Sequence, residues 1–295
     1  MNYDLFGNPV IEKTNLREKF LVPPFSIIDT QNGDWQEKKE RWKRLGIKSE
    51  IGRDANLLGY SKTILKTMSD NGTSIFDPVL AELMYRWFCK DNGKILDPFA
   101  GGSVRGIVSN YLGYKYTGID LRESQVGENY KQAFKILPND YPKWISGDSE
   151  EKLNDVEYGF DFIFSCPPYY DLEKYSEDKD DLSNLSFELF NIKYTNIIKK
   201  AVSKLKDNSL AAFVIGNSRY KKGSGLIKNL YTETIKAFEN SGMGFYNDII
   251  LKNSTGNAAM RAGRTFKATR KITKTHQYVL VFLKGDASKL DVSHE

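Results

Sequence analysis

Nine residues constrain this chain more than any others: Phe162-Ile163-Phe164-Ser165-Cys166-Pro167-Pro168-Tyr169-Tyr170. Aromatic and β-branched residues lead the run, which reads as a buried strand. The two prolines then remove two backbone donors and fix two φ angles, so the chain leaves the sheet in one stiff, extended conformation. That strand end is a rigid polar turn with aromatic rings beside it, a surface suited to holding a planar group. Read alone, it is equally a plain strand end with a proline-rich turn.

A second strand end lies upstream in Lys94-Ile95-Leu96-Asp97-Pro98-Phe99-Ala100-Gly101-Gly102-Ser103. Apolar residues run into a glycine pair and then a helix, Val104 to Leu112, closed by Gly113. The glycines let backbone N–H groups approach a ligand where a Cβ would collide, as in a cradle for a nucleoside-bearing cofactor. The two strand ends are about 65 residues apart, a spacing that fits repeated βα units.

Asp97-Pro98-Phe99-Ala100-Gly101-Gly102-Ser103 resembles the cofactor motif of the S-adenosylmethionine-dependent DNA amino-methyltransferases, Asp-Pro-Phe-x-Gly-Ser-Gly. Cys166-Pro167-Pro168-Tyr169 resembles their catalytic motif, in which Asp, Asn or Ser precedes Pro-Pro-Tyr/Phe. The run from Ser165 to Asn184, including Tyr170-Asp171-Leu172-Glu173-Lys174-Tyr175-Ser176, is similar to the methylases of phages and plasmids.

The resemblance covers roughly residues 74 to 284, and for the phage and plasmid methylases the amino-terminal segment too. It implies an α/β fold: a Rossmann-like methyltransferase sheet, mostly parallel, with a reversed C-terminal hairpin strand and an N-terminal helical or irregular appendage. The implied organisation is an appendage over 1–72, a catalytic domain over 73–285 with a basic DNA-facing loop at 253–275, and a tail over 286–295. The implied activity is methyl transfer from S-adenosylmethionine to an exocyclic amino group in double-stranded DNA. The setting it implies is restriction–modification or a mobile element in a bacterial cytoplasm.

Length and charge agree with one large α/β domain. The net charge of +5 is compatible with a polyanion partner without requiring one. Cys89 and Cys166 are the only cysteines and stand far apart, so neither a disulfide framework nor a thiolate zinc site is expected. His276 has no His or Cys near it and is expected as a hydrogen-bonded strand residue, without a metal. No apolar run approaches membrane-spanning length and the amino terminus lacks a signal-peptide layout, which points to a soluble intracellular protein. Oligomeric state is not encoded in any readable pattern.

Residues 1 to about 20 carry few apolar anchors and read as an arm, followed by a short apolar segment, Phe20 to Ile28, with a structural Pro-Pro. Asp34 to Leu45 reads as a helix ending at Gly46, with Trp35 and Trp42 two turns apart on one face. Its Lys38, Lys39, Arg41, Lys43 and Arg44 suit either a phosphate-contacting element or a solvated helix packed by its tryptophans. Asp77-Pro78 signals a helix start, and Val79, Leu80, Leu83, Met84, Trp87 and Phe88 recur at helical spacing. By resemblance Ser74 and Phe76 help enclose the methionine end of the cofactor, although Phe76 equally suits a hydrophobic staple.

Past the cradle, a strand from Tyr114 to Ile119 ends at Asp120, where a Rossmann-like fold binds ribose hydroxyls and where a helix cap would also sit. A third strand, Trp144 to Ser146, precedes Gly147-Asp148-Ser149. By resemblance Asp148 accepts from the adenine amino group with Ser149 beside it; a Gly-Asp-Ser turn is the plainer alternative. Asp97, Phe99, Gly101 and Gly102 complete the expected cofactor set. An acidic segment follows at 171–181, which either covers the site or pairs with basic residues of this chain. A helix from Phe187 to Leu205, a strand from Leu210 to Gly216 and a helix to Asn240 come next, then strands Tyr246–Leu251 and Tyr278–Leu283 as the closing hairpin. Between these, Arg261, Arg264, Lys267, Arg270, Lys271 and Lys274 lack an apolar period and are expected in a long nucleic-acid-facing loop.

For the chemistry, the side chain before the prolines and the Pro167 carbonyl would accept the amino hydrogens while Tyr169 stacks on a flipped base. Cys166 departs from the family pattern, since a neutral thiol accepts weakly. Its size is nearest Ser, which leans toward N4 of cytosine over N6 of adenine without deciding between them. The other readings open from sequence are an RNA or protein-amide methyltransferase and a catalytically silent DNA-binding relative.

Overall fold

The computed structural model describes residues 16, 20–47, 76–168, 182, 185–220, 224–253 and 258–291. Ser74, Tyr169 and the 171–181 segment therefore lie outside the described residues, as do most of residues 1–20.

The strand lengths and helix periods expected from the sequence recur in the middle of the chain. Strand β2 (Lys94–Asp97) leads to helix α3 (Val104–Tyr111), β3 (Lys115–Asp120) to α4 (Glu123–Ile136), and β4 (Lys143–Ser146) to the single turn α5 (Ser149–Lys152). Then come β5 (Phe160–Ser165), α6 (Phe187–Lys204), β6 (Leu205–Ile215), the short pair β7 (Ser218–Arg219) and β8 (Ile227–Lys228), and α7 (Leu230–Glu239). Strands β9 (Gly244–Lys252) and β10 (His276–Lys284) close the chain and flank α8 (Ala258–Thr269).

Eight strands form one sheet in the order β1-β9-β10-β6-β5-β2-β3-β4, where β1 is Ile27–Asp29. Every pairing in it is parallel except those of β10, which runs against both β6 and β9. This is the Rossmann-like sheet with a reversed hairpin strand that the resemblance implied. Starting at β2, the chain winds outward through β3 and β4 and then returns to β5 and β6 on the other side of β2. The order reverses between β2 and β5, and open α/β sheets bind ligands outside the carboxyl ends at such a switch point.

Alternation along the strands sends residues to two cores. Leu210, Ala212 and Val214 of β6 face the layer that holds Trp35, Met84 and Ile107, whereas Ala211, Phe213 and Ile215 face the layer that holds Phe190, Ile197 and Phe238. Strand β5 is buried at all six positions, as a central parallel strand covered on both faces must be.

The N-terminal segment is more integrated than the appendage expected from sequence. Ile27↔Ile250 and Ile28↔Leu251 add β1 to the sheet edge, parallel to β9. Helix α1 (Gly33–Arg44) begins at the cap Asn32, two residues earlier than the acidic start read from sequence, and ends at Leu45. Its tryptophans settle its role. Trp35 Nε1 donates to Asp77 (3.1 Å) and Trp42 Nε1 to Glu82 (2.8 Å), docking α1 onto α2 (Pro78–Phe88). The cations are partly committed too: Lys39 pairs with Asp77, Arg41 with Glu37 and Lys43 with Glu40. The two tryptophans pack α1 as one of the two readings expected, while Arg41 and Lys43 stay largely exposed beside their carboxylates.

Candidate functional site

Loops leaving the carboxyl ends of β2, β3, β4 and β5 meet at the switch point. Gly101 has φ +54, in the left-handed region, and the side where a Cβ would stand is open. A backbone exposed in this way, followed directly by α3, can present N–H groups to a ligand. The loop is held from behind. Asn129 Nδ2 donates to Gly101 O (2.8 Å), Gln125 Nε2 to Asn129 Oδ1 (2.9 Å), and Ser103 Oγ to Gln132 Oε1 (3.1 Å). Gln125, Asn129 and Gln132 stand at i, i+4 and i+7 of α4 and are buried. That polar stripe went unnoticed in the sequence, although its helical spacing beside Val126 and Ala133 was a readable signal.

The expected cofactor residues fall into distinct environments. Asp120 is at the tip of β3, its side chain 15 % exposed, and accepts from Arg122 N (3.0 Å) and from the Gly101 N–H. Burial raises its carboxyl above the usual range, against the lowering effect of Arg122 and these N–H groups. Asp148 at the end of β4 caps α5 through Glu150 N (2.9 Å) and pairs with Lys193 Nζ of α6 at 2.6 Å. Ser149 is buried and gives its hydroxyl to Pro98 O (2.6 Å), so it ties the loops together. The Phe99 ring lies against Tyr194 and Phe213. Gly102 is half-buried in the same turn. Phe76 packs edge-on against Phe164, with the Arg105 guanidinium 4.5 Å from its ring centre.

Asp97 is the most enclosed of the expected residues. Its carboxylate is fully buried and accepts from Arg105 Nε (2.6 Å), Tyr116 Oη (2.7 Å), Ser165 Oγ (2.5 Å) and Phe99 N (3.1 Å). Such a group holds the loop through four bonds made within the protein. Arg105 also donates to Phe99 O (2.7 Å) and Ala100 O (2.9 Å). Removing either partner of a buried pair like this one costs roughly 3–5 kcal/mol, because the other charge is left uncompensated.

Across the switch point, Cys166 is half-buried, Pro167 buried and Pro168 half-buried. Cys166 lies within electrostatic reach of the Arg105 guanidinium and the Tyr194 hydroxyl. Tyr194 itself is buried, bonds Thr234 Oγ1 at 2.9 Å, and has its phenol pushed up by burial. The other thiol, Cys89, is buried and raised by burial, which makes it inert. His276 bonds Tyr278 Oη at 3.1 Å.

The basic 253–275 connection is corrected in form. Its middle is helix α8, and none of the described α8 side chains is buried. Ala259, Ala262 and Phe266 recur on one side of the helix and Arg261, Arg264 and Lys267 on the other, and the alanines add helical propensity. The connection leaves the carboxyl end of β9, which is parallel to β5 and β2 through its neighbours, so it emerges at the same sheet edge as the site. Residues 249–285 contain eight Lys and Arg and no Asp or Glu. Among the described residues, Arg261, Arg264, Lys267, Arg270, Lys271 and Lys274 make no ion pair, while Arg270 lies over Phe266 and Lys274 over Tyr278.

No protein-family model matches the sequence, and no curated protein matches it. Among solved structures, the chain is similar to a protein from Pyrococcus horikoshii provisionally assigned as an RNA methyltransferase, at 14 % identity and a TM-score of 0.48 over 85 % of this chain and 100 % of that one. TrmN from Thermus thermophilus is similar at 15 % identity and a TM-score of 0.46, over 70 % of this chain; the match spans about half of TrmN, 48 %. Another Thermus thermophilus protein, provisionally assigned as a DNA modification methylase and complexed with S-adenosyl-L-methionine, is similar at 16 % identity and a TM-score of 0.36, over 47 % of this chain and 51 % of that one. Likeness at this distance leaves the substrate open. The fold assignment rests on this chain's own strand order: a doubly wound parallel sheet with one reversed strand, and two motif-bearing loops at its switch point.

Proposed function

We propose that this protein transfers a methyl group from S-adenosylmethionine to an exocyclic amino group of a base flipped out of double-stranded DNA, at N4 of cytosine or N6 of adenine. The observation that carries the reading is the adjacency of β2 and β5, paired in parallel through Ile95↔Phe162 and Leu96↔Ile163, which makes the Gly101 loop and the Cys166-Pro167-Pro168 strand end neighbours at one end of the sheet.

The residues present fit the donor. The Gly101 turn offers an open left-handed backbone, Asp120 offers a carboxylate to ribose hydroxyls, and Asp148 offers a second acceptor at the next strand tip. When bound, S-adenosylmethionine supplies a methyl group made electrophilic by its sulfonium. The remaining work is orientation and exclusion of water. An aromatic amine is a poor nucleophile because its lone pair is delocalised into the ring. The Pro167 carbonyl and the Cys166 side chain, at the strand end, accept the two amino hydrogens and draw the lone pair out of conjugation. Methylation of the nitrogen would return the donor's S–CH3 bonding pair to sulfur, leaving a neutral thioether, and the proton the nitrogen sheds would pass along these hydrogen bonds to solvent, since neither acceptor is a base that could keep it. Tyr169 stacks on the flipped base. Because the thiol accepts weakly, the carbonyl is the stronger of the two acceptors.

Helix α8 supports the nucleic-acid part of the reading. Twelve residues span about 18 Å, and the major groove of duplex DNA admits a helix of ordinary diameter. Six cations with no acidic neighbour in sequence suit a phosphate backbone.

The test is mass spectrometry of nucleosides from duplex DNA incubated with the protein and donor, with RNA and a protein extract as parallel substrates. N4-methylcytosine or N6-methyladenine in the DNA arm is expected. Label confined to RNA or protein refutes the DNA assignment. Transfer seen only after Cys166→Asp would identify a silent relative.

A further inference from the structure

Two features of the buried Asp97 cluster exceed what fixing one loop requires. The first is Ser165. The ladder between β2 and β5 ends with Leu96↔Ile163, and beyond it the Ser165 Oγ to Asp97 Oδ1 bond continues the link, one residue before Cys166. The second is Arg105. A cation in the first turn of a helix opposes the helix dipole, so its placement in α3 goes against local preference. There it is 5 % exposed and spends its donors on Asp97, Phe99 O and Ala100 O. The backbone of the cofactor loop, Arg105, Asp97, Ser165 and the catalytic strand end thus form one continuous hydrogen-bonded chain. Every member but the loop backbone is a side chain shielded from water, where polar networks are rigid.

We infer that Arg105, Asp97 and Ser165 are positioning residues that set the separation between the donor-holding Gly101 loop and the base-holding Cys166-Pro167 end, without touching either substrate. This rests on the methyl-transfer reading above. Tyr116 is a useful contrast. It donates to the same Asp97 oxygen as Arg105, yet it belongs to β3 and leads to neither the catalytic strand nor the loop carbonyls.

The experiment compares Ser165→Ala, Ser165→Thr and Tyr116→Phe with the wild type, measuring donor Kd by calorimetry and single-turnover methyl transfer at saturating donor and DNA. Misplacement of reacting groups by a fraction of an ångström to an ångström costs up to about 100-fold, so Ser165→Ala is expected to slow transfer roughly 10- to 100-fold with donor Kd within about threefold of wild type. Ser165→Thr, which keeps the hydroxyl, restores most of the rate. Tyr116→Phe removes one donor from the same carboxylate and slows transfer at least about five times less than Ser165→Ala.

Equal slowing by Ser165→Ala and Tyr116→Phe overturns the inference, because a merely structural cluster would not distinguish them. So does a Ser165→Ala protein whose loss lies wholly in donor affinity. If Ser165→Ala does not fold, Arg105→Lys decides: a fall in transfer rate together with weaker donor binding supports the relay, and weaker binding alone overturns it. A wild-type protein that takes up no donor refutes the methyl-transfer reading and the relay with it. Wild-type transfer with unimpaired Ser165→Ala refutes the relay alone.

Discussion

Replacing Arg261, Arg264 and Lys267 together by alanine isolates the role of α8. Neutralising a phosphate contributes about 0.9 to the slope of log K against log salt, so six contacting cations give a slope of about −5.4 and three give about −2.7. Between 50 and 200 mM salt the wild type should then lose roughly 2,000-fold in duplex affinity and the triple variant about 40-fold. No described α8 side chain is buried, and alanine is the best helix former, so the thermal midpoint should stay within a degree or two of wild type, about the effect expected of exposed substitutions. The assay is fluorescence anisotropy of a labelled duplex across a salt series. A matched variant of α1, with Arg41, Lys43 and Arg44 changed to alanine, is the control, because Arg41 and Lys43 are already engaged by Glu37 and Glu40. A triple α8 variant with the wild-type slope, or a loss that follows the α1 variant instead, would refute the assignment of α8 to the phosphates.

Asp120 gives a pH prediction. Its folded-state carboxyl is raised above 3.8, so as pH falls it gains its proton earlier than an ordinary aspartate and stops accepting from ribose hydroxyls. Donor affinity measured by calorimetry should weaken on acidification at pH values above 3.8, and Asp120→Asn should bind weakly without that dependence. The same shift means that Asp120 contributes to fold stability below its unfolded pKa, a contribution lost as pH rises through the folded one. Gly101→Ala would place a Cβ in the open cradle at φ +54, at a backbone cost of about 1 kcal/mol, and should weaken donor binding far more than it lowers the melting temperature. Trp42→Ala empties a buried site between α1 and α2 and leaves Glu82 with Arg86 as its remaining partner, so denaturant unfolding should show a loss of about 3–5 kcal/mol with donor affinity retained in the folded fraction.

Much of the fold was legible because its signals are local. The β-branched and aromatic run ending at Pro167, the Gly101 turn before α3, and the Asp77-Pro78 start of α2 each specify themselves within a few residues. Helix α8 is less legible because its apolar side is built mostly of alanine, with Ala259, Ala262 and Phe266 spaced among cations and no bulky aliphatic stripe. Segment 20–47 was read as an appendage because three strand residues and two tryptophans give no hint of which distant surface they join.

The sequence alone determined which chemical groups end successive strands: the glycine turn, Asp120, Asp148 and the Cys-Pro-Pro corner. Tertiary structure decided which partners each group has. Asp97 meets Arg105 and Ser165, and Ser149 the Pro98 carbonyl, only once the strands are assembled, and Asp148 gains Lys193 only when α6 crosses the sheet. Backbone preference and hydrophobic period act over one turn or one strand, whereas the partner of a carboxylate is set by which distant segments the sheet makes neighbours.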